Sequence, residues 1–228
     1  MKTNTGAGER DVTIGFGTER VAGTLNMPLH SFGCVIFAHG SGSSRFSPRN
    51  RFVANVLQDA SIGTLLLDLL TPEEDRIDSE TARFRFDIAL LARRLVMAAD
   101  WAHAGLGEMP FGFFGASTGA AAALVAAAAR TCLIRAVVSR GGRPDLAGET
   151  LERVEAPTLL IVGERDREVL RLNEAAACSL HVEHELRIVP NATHLFEERG
   201  ALDFVARLAS GWFSTHLIRA RKKERTSS

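Results

Sequence analysis

Six short apolar runs, each separated from the next by a stretch long enough for a helix, constrain this chain more than any other feature. They are "CVIFAHG", "IGTLLLDLL", "MPFGFFGAS", "IRAVVSRGG", "APTLLIVGERD" and "ELRIVPNATH". The first five do not alternate between apolar and polar residues, as a strand with one wet face does. Continuous apolar runs bounded by glycine or charge belong to strands covered on both sides. Between them, helices are expected from "FVANVLQDA", from Thr81 to His103, from "TGAAAALVAAAAR", from about Glu168 to Leu180 and from about Gly200 to Ile218. Strand and helix in alternation predict an α/β fold with a mostly parallel, doubly wound sheet. Ahead of it, "VTIGFGTERVAGTL" (Val12 to Leu25) alternates around a glycine-containing turn and predicts an antiparallel hairpin at a sheet edge. The 228 residues suit one domain with a single sizeable core, expected over 1–218. The basic remainder, 219–228, reads as a solvated, disordered tail rather than a nucleic-acid-binding segment.

In a sheet of this kind ligands gather at the carboxyl ends of the strands. Each apolar run here ends in a residue of chemical interest: His39 with Gly40 and Ser41, Asp68, Ser117, Arg140, Asp166, and the loop carrying His194. The segment Gly115-Ala116-Ser117-Thr118-Gly119 follows a strand and opens a helix, the context of a nucleophile elbow. Flanking glycines let strand and helix pass close to a sharply turned serine. The plainer alternative is a glycine-flanked turn whose serine only caps the following helix. A serine hydroxyl becomes an effective nucleophile when a base takes its proton and a third group orients that base. Asp166 after "TLLIVG" and His194 after "ELRIVP" supply the order Ser, Asp, His, each at a strand end. Taken singly, Asp166 could be a solvated loop acid and His194 a capping or surface histidine; the joint order points to a triad. For the oxyanion of acyl transfer, the backbone amide of Thr118 is one expected donor. That of Ser41, in the small-residue loop "HGSGSS", is the other. This loop lacks the Gly-Lys-Ser/Thr ending of a P-loop and the three-glycine spacing of a dinucleotide fingerprint.

With "AHGSGSS", "GASTG", "GERD" and "NATH" in this order over nearly its whole length, the chain resembles the α/β-hydrolases. Among them it is most similar to the small, essentially capless hydrolases of the dienelactone hydrolase type. The resemblance implies hydrolysis of an ester or lactone through an acyl-enzyme, with no cofactor. It departs at one position: dienelactone hydrolases carry cysteine at the elbow, where this sequence has Ser117, which favours a serine carboxylesterase. Similar hydrolases also occur fused to a phosphoribosyltransferase-like domain, a possible partner that nothing in the chain itself displays. A non-catalytic binding protein on the same fold is the competing expectation.

Arginines near the expected active face, Arg45, Arg49, Arg140 and Arg143, are candidates for holding an anionic ester or lactone, because guanidinium binds carboxylate bidentately. Pairing with loop acids such as Asp145 and Glu149 is the alternative. Asp68 is expected to anchor a loop and His39 to bond backbone beside the oxyanion loop. His181 and His184 lack the spacing of a zinc motif, so no metal site is expected, and Trp101 and Trp212 are read as core. Matched counts of 27 basic and 27 acidic residues give no net field toward nucleic acid or an anionic membrane. With no long apolar segment, a soluble cytoplasmic protein acting on a small molecule is expected. Cys34, Cys132 and Cys178 are expected to be reduced core thiols.

Overall fold

The computed structural model describes residues 8–17 and 19–226. Met1 to Ala7, with which the expected domain begins, and Ser227 and Ser228 of the expected tail lie outside the described residues. Eight strands form one sheet in the order β1-β2-β4-β3-β5-β6-β7-β8. The hairpin is β1 (Glu9–Phe16) and β2 (Glu19–Asn26), paired antiparallel from Glu9↔Asn26 to Phe16↔Glu19. From β3 (Cys34–Ala38) and β4 (Gly63–Leu67) through β5 (Phe111–Ala116), β6 (Ile134–Arg140), β7 (Thr158–Gly163) and β8 (His184–Val189), neighbours pair in parallel. The edge is made by β2 meeting β4 antiparallel.

Both faces of the central sheet are covered, which is why β3 to β7 read as unbroken apolar runs, whereas the edge strand β8 is largely exposed and alternates. Ile36, Phe111, Phe113 and Val137 point to one side, with α3 (Ile88–Leu106) and α4 (Thr118–Ala129) against them. Val35, Phe37, Phe114 and Val138 point to the other, beneath α1 (Pro48–Asp59) and α6 (Ala201–Thr226). Trp212 of α6 is buried there with its indole N–H donating to Pro157 O at 3.3 Å, while Trp101 is half-buried against the first core.

The helix expected from Thr81 to His103 starts only at Ile88, as α3, and a separate helix precedes it, sharing no more than Thr81 with the expected span. This is α2 (Pro72–Thr81), which starts in a capping box: Glu74 N–H donates to Thr71 Oγ1 and Thr71 N–H to the Glu74 carboxylate. It ends because Ala82 turns left-handed, at φ 54. The chain then reverses around the buried Asp78 carboxylate, which accepts the Phe84 and Arg85 N–H groups and the Arg85 guanidinium. Asp87 caps the start of α3 by accepting from Leu90 N–H. Arg94, 1% exposed, ties these parts together by pairing with Glu74 of α2 and Glu19 of β2.

The end of the chain also differs from expectation. Instead of stopping at Ile218, α6 continues to Thr226, through most of the segment read as a disordered tail. Its residues there are strong helix formers, and cations at a helix C-terminus sit favourably against the macrodipole. Of the three free thiols only Cys34 is core; burial pushes its pKa up to about 12. Cys132, in the turn after α4, and Cys178, on the outer side of α5 (Arg167–Ser179), are exposed.

Candidate active site

At the carboxyl end of β5 the chain bends into α4 through Ser117, whose φ of 52° and ψ of −121° lie where a residue with a side chain is strained. The turn is over-determined by its surroundings. Ser117 N–H donates to Arg140 O on β6, and Ser117 O accepts from Ala120 and Arg143 N–H. Neither neighbouring glycine could carry a side chain. A Cβ on Gly115 would lie 2.4 Å from the Ala120 Cα, and one on Gly119 2.4 Å from the His39 carbonyl oxygen. Ser117 stands at the N-cap position of α4, yet its hydroxyl makes no capping hydrogen bond. The helix-cap alternative for this serine therefore fails.

Asp166 behaves in the same way. It occupies the N-cap of α5 without capping it, and its carboxylate accepts instead from His194 Nδ1 at 2.6 Å. Asp166 is well shielded, with 15% of its side chain exposed against 39% for His194. The loop after β8 is stitched to the loop after β7. Arg165 N–H donates to Ala192 O, Asn191 N–H to the Glu164 carboxylate, and Thr193 N–H to the Glu198 carboxylate within the His194 loop itself. Ser117, His194, Ser41, Arg49, Asn50 and Arg140 all line one cavity of about 230 Å³. A bond of 3.0 Å between the Ser41 and Thr118 hydroxyls joins the two segments expected to supply the oxyanion amides.

The loop bearing Ser41 is held from behind. His39 Nε2 accepts from Leu69 N–H and Nδ1 bonds Gly40 O, so the ring is neutral with its proton on Nδ1. Burial lowers the His39 pKa, outweighing the Gly40 bond and the nearby Asp68 charge. Asp68 accepts both the Arg45 backbone N–H, at 2.7 Å, and the Arg45 guanidinium. These are the anchoring roles the sequence suggests.

The four candidate arginines part company. Arg45 is committed to Asp68, and Arg143 to Asp145 through two bonds of 2.8 and 2.7 Å; neither lines the Ser117 cavity. Arg49 and Arg140 do. Arg49 sits in the first turn of α1, which begins at the Ser47-Pro48 pair, four residues before the expected helical stretch "FVANVLQDA". A serine N-cap followed by proline is a start signal that could have placed it. The same shift brings in Asn50, 3% exposed, which the sequence reading passed over. Among the described residues no group of three or more histidine, cysteine or acidic side chains could hold a metal ion. His181 and His184 are exposed, and no described helix is long and apolar enough to cross a membrane.

Comparison with known proteins agrees with the fold. A crystal structure of dienelactone hydrolase from Anabaena variabilis is 54% identical and superposes with a TM-score of 0.90, over 92% of this chain and 98% of that one. This chain belongs to the dienelactone hydrolase family of the α/β-hydrolase fold. Est1E from Butyrivibrio proteoclasticus, 14% identical with a TM-score of 0.74, shares the fold over 91% of this chain. No family model matches the sequence. Two curated Mycobacterium tuberculosis proteins, from strains CDC 1551 and H37Rv, are 54% identical over 211 residues and carry a phosphoribosyl transferase name. The chain spans about half of each, 47% of its length.

Proposed function

We propose that this family member is a serine hydrolase that cleaves small carboxylic esters or lactones through an acyl-enzyme. The observation that carries the reading is the convergence on one cavity of a strained, uncapping serine and a histidine already bonded to a half-buried acid. In the first half-reaction Ser117 Oγ attacks the carbonyl carbon while His194 takes its proton. Asp166 keeps the imidazole in the tautomer that presents Nε2 and steadies the imidazolium. The tetrahedral oxygen is held by the Ser41 and Thr118 amides, the second reinforced by the N-terminal end of α4. Collapse expels the alkoxide, which leaves with the proton from His194. Water then attacks the acyl-enzyme by the same steps, releasing the acid and restoring Ser117.

On this reading the small cavity and the short 3-10 stretch between β6 and β7, Pro144–Arg153, kinked at Gly148, favour short acyl groups. Rates on p-nitrophenyl esters are expected to peak below about eight acyl carbons and to show a burst of nitrophenol when deacylation limits turnover. A rate that climbs steadily with longer acyl chains contradicts this. The phosphoribosyl transferase name of the mycobacterial relatives is assigned by this reading to the half of those proteins that this chain does not span.

A further inference from the structure

The sheet ends at β8, and among the described residues the outer edge of that strand is unpaired. Thr158 N–H donates to Glu183 O, and the pairing with β7 then runs from Thr158↔His184 to Gly163↔Val189. In a parallel ladder only alternate residues turn their backbone groups toward a given neighbour. Glu183, Glu185, Arg187 and Val189 therefore face β7. The N–H and C=O groups of His184, Leu186 and Ile188 point away from the sheet, and no described residue bonds them. The side chains along this edge are open as well. Ile188 is 44% exposed, and Glu185 and Arg187 pair with each other at 2.8 Å on an exposed face. Such an edge is a template for another strand, and charge is the usual means of blocking it. Here the charges are of both signs, and their order makes the strand complementary to itself.

We propose that β8 pairs antiparallel with β8 of a second copy of this chain, about a two-fold axis at Leu186. A two-fold interface sets residue i against j and j against i. With Leu186 opposite the partner's Leu186, their outward backbone groups bond each other, and those of His184 bond the partner's Ile188. This is the alternation an antiparallel ladder requires. Between these, in the closer non-hydrogen-bonded pairs, Glu185 falls opposite the partner's Arg187 and Arg187 opposite the partner's Glu185. Opposite charges directly across two strands stabilise the pair and like charges destabilise it. A shift of two residues either way, the smallest that keeps the ladder bonded, sets Glu185 against Glu185 or Arg187 against Arg187. The same two charges that guard the edge in other registers thus select this one. On the opposite face of the strand, Ile188 meets the partner's His184 beside the half-buried Leu186 pair. The joined sheet continues through the eight strands of each copy. Because the pairing is antiparallel, the strand ends that carry Ser117 point in opposite directions in the two copies.

Sedimentation equilibrium of the full chain, from micromolar to hundreds of micromolar, tests this. The wild type is expected to pass from one copy to two across that range. Arg187→Glu sets acid against acid twice, and Glu185→Arg sets cation against cation twice. Each alone should weaken self-association at least about tenfold. Both positions are exposed, and thermal unfolding will show that the variants fold. The double variant Glu185→Arg/Arg187→Glu inverts both signs in one chain and should recover the pairing. An equimolar mixture of the two single variants should recover it too, because each then meets its complement. A wild type that stays monomeric throughout overturns the proposal. A dimer indifferent to Arg187→Glu also overturns it, since another face then holds the copies together. So does a loss of pairing that neither the double variant nor the mixture reverses, which denies the register.

Discussion

Two residues at helix N-termini, Ser117 and Asp166, have side chains that decline the hydrogen bond their position offers. Serine and aspartate are among the best N-caps because their oxygens normally satisfy orphan amides. Asp166 spends its carboxylate on His194, and Ser117 lines the cavity with no capping bond from its hydroxyl. Asp166→Asn keeps the shape of this pair but favours the tautomer that turns the wrong nitrogen to serine. It is expected to lower kcat by about four orders of magnitude with stability little changed, as ester kinetics beside thermal unfolding will show. His39 carries a different consequence. Its two bonds require the neutral ring, and its pKa, like that of buried His216, lies below the ordinary 6.5. The unfolded chain therefore takes up these protons first. Stability from the neutral rings is complete above 6.5 and declines as pH falls through that value toward the lower folded pKa values. Each histidine contributes a slope of at most about 1.4 kcal/mol per pH unit. Urea unfolding at pH 7.5 and 5.5 measures this directly; equal stability at both contradicts the assignment.

Among the elements, the strands were legible because burial on both faces leaves an unbroken apolar signature, and Cys34–Ala38, Gly63–Leu67 and Phe111–Ala116 all fall within the runs read from sequence. The break between α2 and α3 was not. The apolar periodicity before Ile88 is weak, and the turn depends on the Asp78 carboxylate collecting amides six and seven residues ahead. That is a tertiary satisfaction with no pattern of its own, although the Thr71-Pro72-Glu73-Glu74 start was a readable cap. The positions of Ser117, Asp166 and His194 were readable because each is a chemically distinctive residue just past the carboxyl end of an apolar run. Which arginines are free was not, since pairing with Asp68 or Asp145 depends on where loops pack. The Asp68 anchor holds the loop that carries Ser41, the proposed oxyanion donor, through Arg45. Asp68→Asn keeps an acceptor for Arg45 N–H but loses the charge pair. We expect kcat to fall about tenfold, roughly 1.4 kcal/mol in barrier, with KM nearly constant; a change confined to KM contradicts this role.

For the molecule as a whole, the sheet acts as a frame that brings five strand ends to one rim. Ser41 follows β3, Ser117 β5, Asp166 β7 and His194 β8, the residues proposed as oxyanion donor, nucleophile, acid and base, with β6 placing Arg140 between Ser117 and Asp166. Residues 77 positions apart, Ser41 and Thr118, come within 3.0 Å because β3 and β5 are adjacent in parallel register. The central claim is that this frame activates Ser117. Intact-mass analysis after exposure to a fluorophosphonate probe, on the wild type and on Ser117→Ala, tests it without presupposing a substrate. One adduct on the wild type and none on the folded variant is the predicted result. An unlabelled wild type, or a variant labelled to the same extent, contradicts it.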